Sequence, residues 1–261
     1  MNDYETRTAT NRSAWDQRAE LHVASEFYDV AGFKAGHCSL NSIERNALGD
    51  VAGKSVLHLQ CHFGQDTLSL ARLGAKATGV DFSPEAVKLA AQLRDELKLE
   101  ADFVCEDVLK LDLERKFDLV YTSYGVLTWL DDLDKWADRV DAHLAPGGVF
   151  HLVEFHPTLM MFDFDSREMA YHYFRHHYRE DVAGSYAAKD DEKIHSEHFW
   201  SHSLGEVLSP LLRRRFQLLE FEEYDYSPYG CFSNMVEEEP GCWRWESKIR
   251  FPHLFHLKMT R

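Results

Sequence analysis

Between Ser55 and Phe155 the chain alternates short apolar runs with longer helical patterns, and this alternation restricts the fold more than any other feature. SVLHLQ (55–60), AKATGVD (75–81), ADFVCED (101–107), FDLVYTSYG (117–125) and VFHLVEF (149–155) read as strands. DTLSLARLG (66–74) has helical spacing and stops at Gly74, a residue suited to the position past a helix C-terminus. SPEAVKLAAQLRDELKL (83–99) opens with Ser83 at the cap and Pro84 and Glu85 in the first turn. DLDKWADRVDAHL (132–144) is a further helix, and Pro146-Gly147-Gly148 reads as a turn. Strands alternating with helices predict an α/β fold, a mostly parallel sheet with helices on both faces. Right-handed crossovers then gather the strand C-termini on one edge, where ligands bind at the topological switch point.

The flanks follow other patterns. Residues 11–30 read as one or two amphipathic helices, capped by Asn11, with Trp15, Ala19, Leu21 and Val23 on the apolar face. Leu40 to Leu48 reads as another, so residues 1–50 form an N-terminal helical cap. Residues 157–203 interrupt the alternation and read as an insertion after the fifth strand, on the substrate side, with AKDDEK (188–193) as an exposed turn. LGEVLSPLLRRRF (204–216) is a helix, and FQLLEFEEY (216–224) and LFHLKM (254–259) are strands. The aromatic stretch 224–248 between them reads as a loop packed over the sheet edge in preference to a flap on a site. Arg213-Arg214-Arg215 suits a helix C-terminus, and Glu237-Glu238-Glu239 a solvated turn. With 261 residues, the expectation is one domain over 1–261.

Charge narrows the partners. The chain has 29 Lys and Arg against 44 Asp and Glu, a formal charge of −15. That excess of acid argues against nucleic acid and anionic membrane surfaces, which need cationic patches. No apolar run is long enough to span a bilayer, and the first residues have no secretory pattern. Five cysteines without a CxxC read as reduced thiols, which points to a cytoplasmic protein. A monomer or homodimer is the separate expectation for its assembly.

VLHLQCHFGQDTLSLARLGAKATGVDFS (56–83) holds the most chemistry: a strand, a turn with Gly64, a helix, and a second strand ending on Asp81. A carboxylate there can accept from both hydroxyls of a ribose. The segment resembles the class I S-adenosylmethionine-dependent methyltransferases. Their first motif, roughly D-x-G-x-G-x-G, aligns with His58, Gln60, His62 and Gly64. GVDFSPEAVKLA (79–90) resembles the ribose motif and CEDVLKLD (105–112) the adenine segment. FDLVYTSYGVLTWL (117–130) and LAPGGVF (144–150) resemble the strands flanking methyl transfer. The resemblance implies a seven-stranded Rossmann-like sheet with an antiparallel last strand, and S-adenosyl-L-methionine as cofactor. It assigns Gln60, His62, Gly64 and Gln65 to the methionine end, Asp81 with Phe82 to the ribose, Asp107 and Val108 to adenine, and Ser123 to the same wall. His62 stands where a dinucleotide enzyme needs a glycine to admit a pyrophosphate, which argues against NAD.

For the acceptor, Thr122-Ser123-Tyr124-Gly125 replaces the Asn/Asp-Pro-Pro-aromatic motif of the base- and glutamine-methylating branches. With the acidic charge, this points to a small molecule accepting at O, N or S. Trp15, Arg18, His22, Phe27 and Tyr28 would form a lid; Tyr124, Trp129, Glu154 and His156 sit at strand ends; Tyr186, His198, Trp200 and His202 come from the insertion. Among these, Trp15, Tyr124, Trp129 and Trp200 are read as substrate-binding, and His156, Tyr28 and His202 as catalytic. The pairs His172/His176 and His198/His202 are four apart, but no full ligand set accompanies them, so no metal is expected. A non-catalytic S-adenosylmethionine-binding regulator, an NAD-dependent oxidoreductase and a methyltransferase acting on a protein remain as alternatives.

Overall fold

The structure, a computed structural model, describes residues 3–188, 191–230, 232–233 and 235–261. Its centre is a seven-stranded sheet of β1 (Ser55–Leu59), β2 (Lys76–Asp81), β3 (Ala101–Cys105), β4 (Phe117–Ser123), β5 (Leu144–Phe155), β8 (Gln217–Tyr224) and β11 (Leu254–Thr260). The order is β3-β2-β1-β4-β5-β11-β8, with β11 antiparallel to both neighbours and the other pairs parallel. The order reverses between β1 and β4, so their C-terminal ends diverge and open the crevice such sheets use for ligands. This is the predicted α/β fold, antiparallel last strand included.

Strand alternation sorts the core onto two faces. Leu57, Leu59 and Val120 face a layer that includes Trp136, Val140 and Leu211 from α6 (Leu133–His143) and α7 (Leu204–Arg213). Val56, Leu119 and Tyr121 face the other way, onto Ile43 and Leu48 of α3 (Ser42–Leu48) and Leu70 of α4 (Gln65–Arg72). Ser83 caps α5 (Pro84–Leu97) by accepting from the Ala86 N–H, as its sequence predicts. The Pro146-Gly147-Gly148 turn is absorbed into β5: pairing skips from Phe117–Leu144 to Leu119–Val149, and the intervening residues bulge out.

Three expectations are corrected. Asn11 does not cap a helix; α1 (Asp3–Ala24) runs straight through it. The buried face of α1 is Asn11, Ala14, Arg18, Ala19 and His22, mostly polar, because its partners are polar groups of the insertion rather than a greasy core. The insertion holds an antiparallel hairpin, β6 (His176–Ala183) and β7 (Ile194–Ser201). Residues 224–248 are not plain loop either. They contain a second hairpin, β9 (Met235–Glu239) and β10 (Cys242–Trp245), so Glu237-Glu238-Glu239 lies in a strand, with Glu238 paired to Arg244 and Arg250. Of the 188–193 turn, Lys189 and Asp190 lie outside the described residues. Arg213 and Arg214 pair with acids of α6, Asp134 and Asp138. Among the described residues no helix is long and apolar enough to cross a membrane.

Candidate functional site

A cavity of about 670 Å³ lies over the C-terminal ends of β1, β2 and β4. Its floor is the turn after β1. Gln60, His62 and Gly64 have φ of +55°, +52° and +79°. These are the three positions where the aligned motif carries glycine, so the backbone keeps the left-handed path with side chains on two of them. Each non-glycine residue there costs about 1–2 kcal/mol. Gly64 cannot be replaced in the same way: a Cβ would sit 2.6 Å from the Phe103 ring and 2.9 Å from Ala90.

The loop is tied to the acid at the end of β2. Asp81 accepts the His62 N–H at 2.8 Å and the Ser83 N–H at 2.9 Å. Burial pushes its carboxyl up to about 6, while those N–H donors oppose the rise. The Gln60 amide donates to the Val126 carbonyl at 3.0 Å and leaves its own oxygen buried without a partner beside the cavity. Such an acceptor fits an incoming ammonium.

His62 is held by packing. Its Nε2 is 2.9 Å from Nδ1 of His22, whose Nε2 reaches the Ser185 hydroxyl at 2.9 Å. Burial holds both imidazoles neutral: His22 falls to about 3 and His62 well below its usual value, with Arg18 adding to both shifts. Trp15 and Phe63 pack edge-on against the His62 ring, with centroids at 5.4 and 4.7 Å. Replacing His62 by glycine and by alanine removes the same imidazole, but only glycine relieves the backbone. His62→Gly is therefore expected to be about 1 kcal/mol more stable than His62→Ala in denaturant unfolding. Equal stabilities would show that the positive φ carries no cost.

A lid closes the other end. Tyr4 of α1 donates to the Asp107 carboxylate, whose other oxygen accepts the Leu109 N–H at 3.0 Å. Asn11 donates to the His198 carbonyl and accepts the His198 N–H, both at 2.7 Å, so its amide pairs with β7 like a strand. Arg18 pairs with Glu197 and lies over the rings of Trp15 and Trp129.

The cavity brings together Trp15, Tyr28, Gln60, His62, Gly64, Gln65, Asp81, Phe82, Asp107, Val108, Ser123, Tyr124, Trp129 and Trp200. It does not include His156 or His202. His156 accepts the Thr158 N–H on Nδ1 and turns Nε2 to Glu223 on the edge strand, 2.9 Å away. His202 is buried with Nε2 on the Leu130 carbonyl at 2.8 Å and faces a separate small pocket. Neither imidazole therefore reaches the main cavity as a base. Glu154 is likewise turned away: it accepts backbone N–H groups of Gly125, Val126, Leu127 and Phe155 and holds the turn after β4. His198 meets His177 at 3.0 Å, and among the described residues no third metal-ligating side chain joins a pair.

Several lining residues escape sequence reasoning: Tyr4, Arg7, Asn11, Phe63, Asp66, Tyr229 and Trp243. The last two correct the packing-loop expectation for 224–248. Trp243 is bridged to Ser227 by two backbone hydrogen bonds and packs on Gly230, placing this segment over the cavity. The aromatic density of the segment was its only signal.

A methyltransferase-domain family profile matches residues 56–148, the stretch from β1 into β5. Residues 56–148 are thus similar to a methyltransferase domain. A malonyl-[acyl-carrier protein] O-methyltransferase from Bacillus cereus is 31% identical over 129 residues, 49% of this chain and 46% of that one. A ubiquinone biosynthesis O-methyltransferase from Nitrobacter winogradskyi is 32% identical over 108 residues, 41% of each. The matched stretch thus spans less than half the length of either curated relative. Among solved structures, an S-adenosylmethionine-dependent methyltransferase from Mesorhizobium loti superposes with a TM-score of 0.59 at 19% identity, covering 87% of this chain and all of that one. That likeness extends the fold beyond the matched stretch. The lining would suit S-adenosylmethionine: Asp81 offers a carboxylate for ribose hydroxyls, Gln60 an unpartnered oxygen for an ammonium, and Asp107 with Val108 a polar and an apolar contact for a base.

Proposed function

We propose that this chain transfers the methyl group of S-adenosylmethionine to a small molecule. One observation carries the reading: the turn Gln60–Gly64 keeps the left-handed backbone of the glycine motif and delivers the His62 N–H to Asp81. A chain that had abandoned the cofactor would gain stability by relaxing those torsions.

The cofactor would supply a methyl group on a positive sulfur, ready for in-line displacement. The protein's part is positioning and exclusion of water. Asp81 orients the ribose, and the indoles of Trp15 and Trp129 with the α1 lid cover the site. Asp66, Tyr28 and Tyr124 line the space left for an acceptor. Walls from α1, the insertion (Tyr186, Trp200) and the second hairpin region (Tyr229, Trp243) enclose that space, which suits a small acceptor better than a protein chain. The His62 ring, fixed by His22, Trp15 and Phe63, occupies room a pyrophosphate would need.

Calorimetric titration with S-adenosylmethionine, S-adenosylhomocysteine and NAD in parallel tests the reading. Binding of both adenosyl compounds with NAD silent is the expected result. NAD binding, or silence from all three, overturns it.

A further inference from the structure

The charge around the cavity is lopsided. Among the described lining residues are the carboxylates Asp29, Asp66, Asp81, Glu106, Asp107 and Asp131, and one guanidinium, Arg7. Arg7 is already committed to Asp3 and Asp131. Asp81 ends β2, Glu106 and Asp107 follow β3, and all three belong to the cofactor side. Asp66 stands elsewhere, one residue into α4, with Glu44 of α3 close enough to feel its charge.

These two acids have hydrogen bonds but no cation. Asp66 accepts from the Ser39 hydroxyl at 2.6 Å. Glu44, wholly buried, accepts from the Asn41 side chain at 3.2 Å and from the Tyr124 hydroxyl at 2.7 Å. Among the described residues no lysine or arginine pairs with either. Burial raises both carboxyls, Glu44 to about 7, with Asp66 adding to the rise. The Tyr121 hydroxyl, with the Ser123 side chain beside it, is fully buried in the field of both acids. Buried carboxylates without a counter-charge are costly, so such groups are kept where a ligand completes them.

Aromatic rings stand over the same end. Tyr124 and Phe27 each meet Tyr229 edge-on with centroids at 5.4 Å, and Tyr28 packs on Phe63 at 4.8 Å. Ring faces attract cations, and the attraction grows with desolvation. Acids below and rings above are complementary to a positive nitrogen and repel a carboxylate or phosphate.

We propose that the methyl acceptor is a small amine, protonated in solution, whose nitrogen is received between Asp66 and the Tyr124–Glu44 pair. This rests on the cavity being the S-adenosylmethionine site. The ammonium gives one proton to the Asp66 carboxylate, or through the Tyr124 hydroxyl to Glu44. The freed nitrogen lone pair then forms the C–N bond as the C–S bond breaks, and that bond's electron pair returns to sulfur. The products are a methylated ammonium and the neutral thioether S-adenosylhomocysteine. The base is needed because a protonated amine has no lone pair to attack with.

The test uses the whole chain saturated with S-adenosylhomocysteine. Benzylamine, 2-phenylethylamine and cyclohexylamine, each with its matched alcohol and carboxylate, are titrated by calorimetry. Each amine is then offered with methyl-labelled S-adenosylmethionine, and products are read by mass. At least one amine is expected to bind about tenfold or more tighter than its alcohol and acid and to gain a methyl on nitrogen. Asp66→Asn and Glu44→Gln should each weaken that amine about tenfold while S-adenosylhomocysteine affinity stays within about twofold, which also reports that each variant is folded. No amine preference in any of the three series overturns the proposal. So does loss of S-adenosylhomocysteine affinity in folded variants, because the acids would then serve the cofactor's own ammonium. Failure of wild-type protein to bind S-adenosylhomocysteine strikes the cofactor reading instead.

Discussion

Asp81→Asn weakens S-adenosylhomocysteine binding by about tenfold to a hundredfold, the effect of removing a hydrogen bond to a charged group worth about 1.5–3 kcal/mol. The carboxylate already accepts the N–H groups of His62 and Ser83, and its remaining lone pairs are what a ribose hydroxyl would meet. An amide puts an NH₂ group against one of those donors, so the variant loses charge and geometry together. The same residue sets a pH dependence. Its carboxyl sits at about 6 in the free folded protein, above the usual value for aspartate. As pH falls through 6 it takes up a proton, and the protonated form is the poorer acceptor. Affinity should therefore be flat above pH 6 and fall by about tenfold per unit below it. Titrations of wild type and variant between pH 5 and 8 check both statements. A variant with wild-type affinity, or a wild-type profile with no break near 6, removes Asp81 from the site.

The second large effect is on stability. Glu154→Gln should lower the folding free energy by roughly 3 kcal/mol, a fall of about 6–12 °C in Tm for a chain of this size. Glu154 is buried, and its two oxygens accept four backbone N–H groups, from Gly125, Val126, Leu127 and Phe155. Glutamine keeps one oxygen and turns two N–H donors toward groups that are themselves donors. Because Gln60 donates to the Val126 carbonyl, the loosened turn also reaches the cofactor loop. Thermal melts followed by circular dichroism measure the loss. A Tm within about 2 °C of wild type would show that the turn holds without the carboxylate.

Much of this fold is legible in the residues. The helix from Ser83 starts where its cap and proline place it, and the alternating strands sort their faces by twos. The place of Asp81 and Asp107 on the cavity wall is legible for the same reason: strand ends deliver both there. What stays hidden is direction and torsion. His156 and His202 stand near the predicted edge, but their rings turn away, to Glu223 and to the Leu130 carbonyl. Letters alone do not show that Gln60 and His62 keep a glycine-like backbone, because only their surroundings make that torsion worth its strain. The buried side of α1 escapes a search for apolar stripes because it is built of Asn11, Arg18 and His22. Asp66 and Glu44 are ordinary helix acids in sequence and become unusual only when folding buries them together.

The partners of α1 carry a last consequence, for the order of folding. Asn11 reaches a residue 187 positions later, and Arg18 one 179 positions later. Before β7 has docked, this helix is held by the start of α5, where Asp16 accepts from the Ser83 hydroxyl, and by Tyr4 on Asp107. Contacts so distant in sequence require the sheet between them to close first. The β7 side of the helix is therefore secured only after the sheet has closed, although the helix precedes the whole sheet in the chain.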